Sequence, residues 1–406
     1  MPEPTAGGAA SAIAPLHLSH PMPAENSATA TPLERFRAAM PAARRWAYFD
    51  HAAVAPLPEP TRRAIGGWLD DAAENGDVHW PAWEKHVEAA RGAAARLLGA
   101  ATDEVALLRS TTEGINCVAE GFPFRPGDNV VTLADEFPTN QYPWMNQAYR
   151  GVETRRVPTD DGHVDLERIA AACDSRTRLL AVSWVSYSSG WRNDLAALAE
   201  MAHRRGALFL VDAIQGLGVF PLDVRDVPID FLAADGHKWL LGPEGAGIFY
   251  LRREHLDLLR PVGVGWNSVA HAFDFARIEL DFRPGAARYE GGSQNMGGFI
   301  GLGASLALLG EVGTEALARR VLEVTDFACC KLEAIGAVVR SERGGGHGSG
   351  IVTFEIPNRD PAALRRRCLE AGVVLSYRGG RLRISPHAYN NAQDVDRLIA
   401  ALESTA

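Results

Sequence analysis

The chain has 406 residues, which is enough for two or three average domains and a large buried core. Its composition, with 47% apolar and 22% charged residues, is typical of a globular protein. The formal net charge is −9 and acidic residues are interspersed with the basic ones, so we do not expect nucleic acid as a partner.

The N-terminal region, the apolar runs and the cysteines favour a cytoplasmic protein. Residues 1–32 have no basic region ahead of apolar residues and predict a flexible tail, not a secretory signal or transit peptide. The longest apolar run, residues 296–310, is shorter than the roughly 20 residues of a membrane helix. The cysteines are five in number and form neither a CxxC pair nor a zinc-ligand cluster, so we expect reduced thiols and no metal site. They are Cys117, Cys173, Cys329, Cys330 and Cys368.

After the tail, the apolar periodicity predicts helices and then an alternating region. Helical patterns cover residues 60–74 and 83–98. Beyond them, seven apolar runs of strand length are interleaved with helix-like segments. These runs are residues 104–108, 129–133, 153–158, 179–185, 208–211, 231–234 and 247–251. The order is typical of a mostly parallel sheet with helices on both faces.

The pattern changes after residue 303. A long helix is predicted through residue 332, and strand, helix, strand and helix follow, with a glycine-rich turn at residues 344–350. We therefore predict an α/β protein. Its large domain, residues 33–303, holds the mostly parallel seven-stranded sheet, and residues 304–406 form a smaller C-terminal α+β domain. We find no internal repeat.

Two polar residues lie at the ends of predicted strands. ALFLVDAIQ carries Asp212, and DFLAADGHKWLLGPEGAG carries Lys238. In an open α/β sheet, such positions border the ligand crevice. Pyridoxal 5′-phosphate (PLP) requires this pair, because the amine binds its aldehyde and the carboxylate keeps its pyridine nitrogen protonated. The alternative is a pair of ordinary solvated residues.

A third segment, LLRSTTEGIN, lies between a strand and a helix that begins near Glu113. It places Ser110, Thr111 and Thr112 at the helix start, where free N–H groups and hydroxyls can bind a phosphate. The structural alternative is simple N-capping by Ser or Thr. The two roles are compatible.

Together these segments resemble the class V aminotransferase family, the fold-type-I PLP enzymes that include cysteine desulfurases, selenocysteine lyase and isopenicillin N epimerase-like proteins. The resemblance runs from about residue 48 to residue 402, and its motifs occur in the family's order and spacing. They are YFDHAAVAPLP, STTEGIN, DEFPTNQYPW, VDAIQ, DGHKWLLGPEG, RYEGGSQN and LRISPHAYN.

The resemblance implies roles for the residues that match. Lys238 would be the catalytic lysine that holds the cofactor and shuttles a proton at the substrate α-carbon. Asp212 would hold the pyridine nitrogen and Gln215 would reach the ring's phenolic oxygen. His237 would contact the phosphate, although a lone histidine is often a structural residue.

Further matches are less direct. Phe137 occupies the place of a histidine that stacks on the pyridine ring in several members; phenylalanine keeps the stacking but cannot exchange protons, and a core phenylalanine is the alternative. Tyr187 stands where desulfurases usually carry an asparagine near the phenolic oxygen, and its hydroxyl can substitute.

Gly292 and Ser293 resemble the loop that reaches the phosphate of the neighbouring subunit's cofactor. This implies a homodimer with a shared site; the alternative is a glycine turn.

The C-terminal GRLRISPHAYN predicts a strand with Arg381 and Arg383 on one face. Arg383 matches the family arginine that binds the substrate carboxylate in a bidentate pair, so the resemblance implies an amino-acid substrate. An exposed strand arginine is the alternative.

The chain departs from the desulfurases in one respect. Those enzymes carry a nucleophilic cysteine on a loop shortly before this arginine, because a thiolate must attack the substrate sulfur. The corresponding segment here, SYRGGRLRIS, is short and has no cysteine. We therefore expect transamination or β-elimination (C–S lyase chemistry) on a small α-amino acid. Epimerisation, as in isopenicillin N epimerase-like proteins, is the alternative. A non-catalytic PLP-binding regulator lacks support, because no DNA-binding helix-turn-helix precedes the fold.

Overall fold

A computed structural model describes residues 30–160, 162–163 and 165–404. Most of the predicted tail, residues 1–29, therefore lies outside the described residues. The strands of the first 251 residues are β1 (Ala47–Tyr48), β2 (Val105–Leu108), β3 (Asn129–Leu133), β4 (Glu153–Val157), β5 (Thr177–Ser183), β6 (Leu208–Asp212), β7 (Phe231–Asp235) and β8 (Gly247–Leu251). The helices of this part are α1 (Pro32–Ala38), α2 (Glu59–Asn75), α3 (Trp80–Leu98), α4 (Thr111–Gly121), α5 (Tyr142–Asn146), α6 (Leu166–Ala172) and α7 (Leu195–Arg204).

Seven of these strands form the central sheet in the order β2-β8-β7-β6-β5-β3-β4. Strands β7, β6, β5, β3 and β4 are parallel, and β8 is antiparallel to both of its neighbours. Strand β2 consequently runs in the same direction as the parallel set. The predicted mostly parallel seven-stranded sheet is confirmed, and β3 and β8 have the predicted bounds.

The central strands are almost continuously buried, as expected for a sheet covered by helices on both faces. Helix α4 lies unusually close to β7. A Cβ atom on Gly114 of α4 would be 2.8 Å from the Cβ of Ala233. This close approach holds the N-terminus of α4 beside the end of β7.

The remaining elements are α8 (Met296–Val312), α9 (Thr314–Ala334), β9 (Val338–Val339), β10 (Val352–Glu355), α10 (Pro361–Glu370), β11 (Val373–Val374), β12 (Ser376–Arg378), β13 (Arg381–Ile384) and α11 (Ala392–Glu403). The single long helix predicted through residue 332 is wrong. Two helices occur instead, because the chain breaks at Gly313, which has a φ of 84°, and bends by 81°. Helix α8 is apolar on nearly all sides and packs against α2 and α3.

The C-terminal region contains a four-stranded antiparallel sheet in the order β12-β13-β10-β9. It is joined to the start of the chain, because β1 pairs in parallel with β11. A separate core of α9, α10, α11 and these strands supports the predicted α+β character. The predicted boundary at 303/304 falls inside α8, and the division into two domains stays a prediction.

In the described ranges, no single helix is long and apolar enough to cross a membrane. The bent pair α8 and α9 passes that test together by length and composition alone.

Candidate active site

The site lies where strands of the central sheet end. Because β2, β3, β5, β6 and β7 run in one direction, their carboxyl ends meet at one edge of the sheet. The segments that follow them carry most of the residues singled out from the sequence. A ligand crevice is expected at this edge in an open α/β sheet.

Lys238 lies on a tight turn after β7. The N–H of Leu241 donates to the Lys238 carbonyl at 3.0 Å, and the N–H of Ala55 donates to the His237 carbonyl at 2.8 Å. Leu241 has a φ of 57°, a strained value for a side chain of this size. It is fully buried, and its carbonyl accepts a hydrogen bond from Ser305 Oγ at 2.7 Å. The surrounding contacts therefore fix the turn that presents the lysine.

Lys238 differs from the other lysines of the chain. The sequence contains only three, Lys85, Lys238 and Lys331. Lys85 is exposed and Lys331 pairs with Asp396 at 3.2 Å, whereas Lys238 is buried. Burial lowers the pKa of Lys238 to about 8, with Asp212 opposing this shift and the charge of Arg383 adding to it. Roughly a tenth of its amine is therefore neutral and nucleophilic at pH 7, far more than for an ordinary lysine.

Asp212 ends β6 and is buried beside this lysine. Its Oδ1 accepts one hydrogen bond, from the N–H of Ile214 at 3.1 Å. Burial raises the pKa of Asp212 to about 6, although that hydrogen bond and Lys238 oppose the shift. A carboxylate with so little compensation favours a cationic N–H partner, and a protonated pyridine nitrogen has this chemistry.

Gln215 links the lysine turn to the N-terminal segment. Its Oε1 accepts from the Trp239 indole N–H at 2.8 Å, and its Nε2 donates to the Ala52 carbonyl at 3.0 Å. An amide nitrogen carries two hydrogens, so one donor is left for the predicted contact to a phenolic oxygen.

The start of α4 shows the N-capping that the sequence predicts. Ser110 is the N-cap, and its Oγ accepts from the Glu113 N–H at 3.2 Å. Thr111 Oγ1 accepts from the Asp235 N–H at 2.9 Å, which ties α4 to the end of β7. Thr112 Oγ1 lies 2.8 Å from Thr139 Oγ1. The capping alternative is therefore observed, and it leaves N–H groups of the first turn for an anion.

His237 and Asp235 flank the lysine turn. His237 Nδ1 lies 3.1 Å from Asp235 Oδ1, yet both atoms are buried without a well-aligned hydrogen bond in the described part of the chain. Because the charge of a carboxylate would repel a bound phosphate, we do not assign Asp235 a ligand-binding role. Unsatisfied buried polar atoms beside a buried lysine are typical of a site built for a polar ligand.

Phe137 and Tyr187 form an aromatic wall. Their ring centroids are 5.1 Å apart in an edge-to-face arrangement, and the Phe137 ring centroid is 5.6 Å from Lys238 Nζ. Phe137 is 43% exposed, so the alternative of a core phenylalanine is wrong. Its open ring face beside the lysine is suited to stacking on a planar cofactor.

Arg383 is fully buried, and the alternative of an exposed arginine is wrong. Its guanidinium donates to Ser376 Oγ at 3.0 Å, to the Tyr187 carbonyl at 2.7 Å and to Asp50 Oδ1 at 3.3 Å. Burial lowers the pKa of Arg383 despite the opposing effect of Asp50. A buried guanidinium with a single long ion pair retains attraction for a further carboxylate.

Gly292 and Ser293 are not brought to this edge within one chain. They line a separate cavity of about 220 Å³, together with Trp80, Arg91 and Trp266. In the described residues, neither makes a hydrogen bond or ion pair with Lys238 or with the candidate-site residues around it. Their predicted role depends on a second subunit and stays a prediction.

Sequence reasoning missed two acidic residues of the site. Glu136 is buried, and both its carboxylate oxygens bind Ser183, one through the backbone N–H at 2.6 Å and the other through the hydroxyl. Burial raises the pKa of Glu136 to about 8, and the charge of Asp212 adds to this effect. Glu136 and Asp50 both lie inside motifs quoted for the family, but a single acid in an irregular segment has no periodicity to mark it.

A wide cavity lies elsewhere in the described part of the chain. A cavity of about 1150 Å³ between α2, α3 and α8 is lined mainly by apolar groups, and none of the predicted site residues borders it. We assign the site from its chemistry and not from cavity size.

A profile of the aminotransferase class V family matches residues 47–398. The chain belongs to the class V aminotransferase family. A probable cysteine desulfurase of Methanothermobacter thermautotrophicus is 32% identical over 399 residues, covering 92% of this chain and 98% of its own length. The predicted family is thereby confirmed.

Solved structures of this class V family share the fold. The apo cysteine desulfurase of Thermococcus onnurineus NA1 superposes with a TM-score of 0.83 at 25% identity, covering 91% of this chain and 97% of its own. The cysteine desulfurase CsdA of Escherichia coli, in its S-sulfonic acid form, gives 0.82 at 27% identity, with 92% and 98% covered. The predicted fold type I is confirmed.

Membership of this family makes the protein an enzyme with PLP as its cofactor, as predicted. The residues present fit that group. A buried amine, an undercompensated buried carboxylate, an open aromatic face and a capped helix N-terminus lie along one edge of the sheet. Lys238, Asp212, Phe137 and the start of α4 would hold it.

Proposed function

We propose that this enzyme acts on a small α-amino acid, by transamination or by β-elimination from a sulfur-bearing side chain, without a catalytic cysteine. The observation that carries the proposal is the buried pair of Lys238 and Arg383. Arg383 can bind the substrate carboxylate, which orients the α-carbon toward the amine of Lys238. With its pKa lowered to about 8, that amine can take and return a proton near neutral pH.

When bound, PLP supplies the electron sink for bond breaking at the substrate α-carbon. Asp212 would keep a positive charge on the ring nitrogen, and Phe137 would cover one ring face. Epimerisation requires proton transfer on both faces of the α-carbon. Phenylalanine at position 137 has no exchangeable proton, which disfavours a second base at that position.

The absence of a nucleophilic thiol is supported by the hairpin before Arg383. Strands β12 and β13 are joined by only two residues, Gly379 and Gly380, with φ values of 55° and 83°. Positive φ at both positions is the signature of a type I′ turn. This hairpin leaves no room for a thiol-bearing loop.

The cysteines themselves also favour a reaction without a thiolate. Four of the five are buried, and burial raises the pKa of each of these four. Such thiols are protonated and weakly nucleophilic. Cys330 is exposed, but it lies on α9 and not on the hairpin.

A shared site in a homodimer is part of the proposal. The segment before Gly292 exposes a group of large apolar side chains, with Phe275, Ile278 and Leu280 exposed by 71%, 90% and 70%. Apolar groups of this size favour a protein partner. A second copy of the chain would cover them and bring Ser293 to the neighbouring cofactor. Mixing Lys238→Ala chains with Ser293→Ala chains should change activity in the heterodimers; full activity of a demonstrated monomer would contradict a shared site.

The cofactor assignment is tested by borohydride reduction and mass spectrometry of the purified yellow protein. We expect phosphopyridoxyl on Lys238 alone. With only three lysines in the chain, Lys238→Ala should abolish the label and Lys85→Ala should preserve it. A label on Lys85 or Lys331 in the unmodified protein would disprove the assignment.

The reaction is tested by offering amino acids with 2-oxo acids, while cofactor absorbance and products are followed together. With cysteine, direct β-elimination yields sulfide, pyruvate and ammonia, whereas a desulfurase yields alanine and an enzyme-bound persulfide. A variant with all five cysteines changed to serine or alanine should keep substantial turnover. Alanine together with a persulfide on one cysteine would overturn the proposal.

A further inference from the structure

A second arginine is placed beside the carboxylate-binding group by the β12–β13 hairpin. In the ladder, Ser376 pairs with Arg383 and Arg378 pairs with Arg381. Residues two apart on a strand point to the same face, so Arg378 shares the face of Ser376 and Arg383. Diagonal neighbours across an antiparallel pair lie roughly 7–8 Å apart. Two long side chains starting from these positions can reach one small ligand.

The arginines of this face differ in their partners. Arg383 is bonded to Ser376, Tyr187 and Asp50, and Arg381 binds Glu355 at 2.9 Å. Arg378 is exposed, and its side chain has no hydrogen bond or ion pair within the described residues. Within the part of the chain that the structure describes, its guanidinium is therefore an unpaired cation on the face that carries Arg383.

The electrostatic field of Arg378 reaches into the site. Burial is the main cause of the lowered pKa values of Lys238 and Arg383. The positive charge of Arg378 makes a smaller contribution in the same direction. It also acts to lower the pKa of Asp50, which burial raises. Three site residues on different elements thus experience this one cation.

We propose that Arg378 binds a second acidic group, at the end of the substrate side chain, while Arg383 binds the α-carboxylate. The substrate class is then α-amino acids whose side chains end in a carboxylate or a comparable oxyanion. This rests on the proposed function, because it assumes that an amino acid occupies the site. Asp50 already accompanies Arg383, so the additional cation is free to compensate an additional substrate anion.

The inference is tested by titrating the holoenzyme with length-matched amino-acid pairs and following cofactor absorbance. The pairs are aspartate with asparagine and glutamate with glutamine, which differ in charge but hardly in size. The unmodified enzyme should bind the charged member of at least one pair about tenfold more tightly, which corresponds to about 1.4 kcal/mol. Arg378→Gln should abolish this preference, and Arg378→Lys should keep part of it. Raising the salt concentration should weaken it, because the group is exposed.

Arg366→Gln is the matched control, since it removes the same charge from an exposed position on α10. It should leave the preference unchanged. Equal binding of both members of each pair by the unmodified enzyme would overturn the inference. So would a preference that survives in Arg378→Gln. If borohydride reduction labels Lys238 but no amino acid changes the absorbance of the unreduced holoenzyme, the proposed function itself fails.

Discussion

Replacing Glu136 with glutamine should change how the stability of the cofactor-free protein depends on pH. Both carboxylate oxygens of Glu136 bind Ser183, and burial raises its pKa from an ordinary 4.5 to about 8. The group is therefore a neutral acid in the folded chain at pH 6 to 7. Glutamine has the same shape, is neutral at every pH and can accept from the Ser183 N–H while donating to its hydroxyl.

The direction in which stability changes with pH follows from proton binding. Because the folded-state pKa is above the unfolded one, the folded protein keeps a proton that the unfolded chain has released. This contribution to stability is complete below pH 4.5 and is lost as the pH rises through about 8. The free energy of unfolding falls by about 1.4 kcal/mol per pH unit while Glu136 remains protonated. Between pH 6 and pH 8 the loss should be about 2 kcal/mol.

Urea unfolding of the cofactor-free protein at several pH values in this range measures the effect. Asp212 and Lys238 have pKa values of about 6 and about 8, at the two ends of this pH range. Both residues are present in both proteins, so the difference between the two pH profiles reports on Glu136. The unmodified protein should lose about 2 kcal/mol more than Glu136→Gln from pH 6 to pH 8. Glu370→Gln, on an exposed position of α10, should behave like the unmodified protein. Parallel pH profiles for the unmodified protein and Glu136→Gln would refute the reasoning.

Two further predictions concern Asp212 and a buried ion pair. Asp212→Asn should retain the bound cofactor through Lys238 but lose at least about 100-fold in turnover, and a change of only a few-fold in steady-state assays would remove Asp212 from the mechanism. Arg91→Met should lower the free energy of unfolding by about 3–5 kcal/mol, because it leaves the carboxylate of Glu290, 1% exposed, without its cation. The double variant Arg91→Met/Glu290→Leu should recover part of that loss in the same denaturation experiment, and no recovery would contradict the ion-pair explanation.

The central sheet could be predicted because its strands carry a strong signal. Buried parallel strands are continuous apolar runs, and all seven occur where the pattern placed them, with ends shifted by at most two residues. Asp212, the last residue of β6, and Lys238, three residues after β7, could be singled out as candidates by their position at strand ends. The buried state of Arg383 followed only from the family motif, since an arginine on a short strand is ordinarily exposed.

What the sequence could not provide depends on contacts between distant segments. The break between α8 and α9 is marked in the sequence by a single glycine in a helix-like pattern. Since one glycine is tolerated in many helices, it does not predict a break. Glu136 acquires its raised pKa from burial and from Asp212, 76 residues later in the chain. The isolation of Gly292 and Ser293 from Lys238 likewise depends on tertiary arrangement.

The two-residue turn between β12 and β13 bears on how this scaffold could acquire another chemistry. Lengthening a surface loop costs little closure entropy, about 0.6 kcal/mol for each doubling of its length. The turn is exposed and lies outside the ladder that holds Arg383, so an insertion there would leave β13 in place. Conversely, the present short turn keeps the arginines on paired strands. Binding of an anion by them therefore requires no ordering of a mobile loop. The length of one hairpin turn is thus a simple evolutionary variable, because it can add or remove a thiol nucleophile while the rest of the site is inherited unchanged.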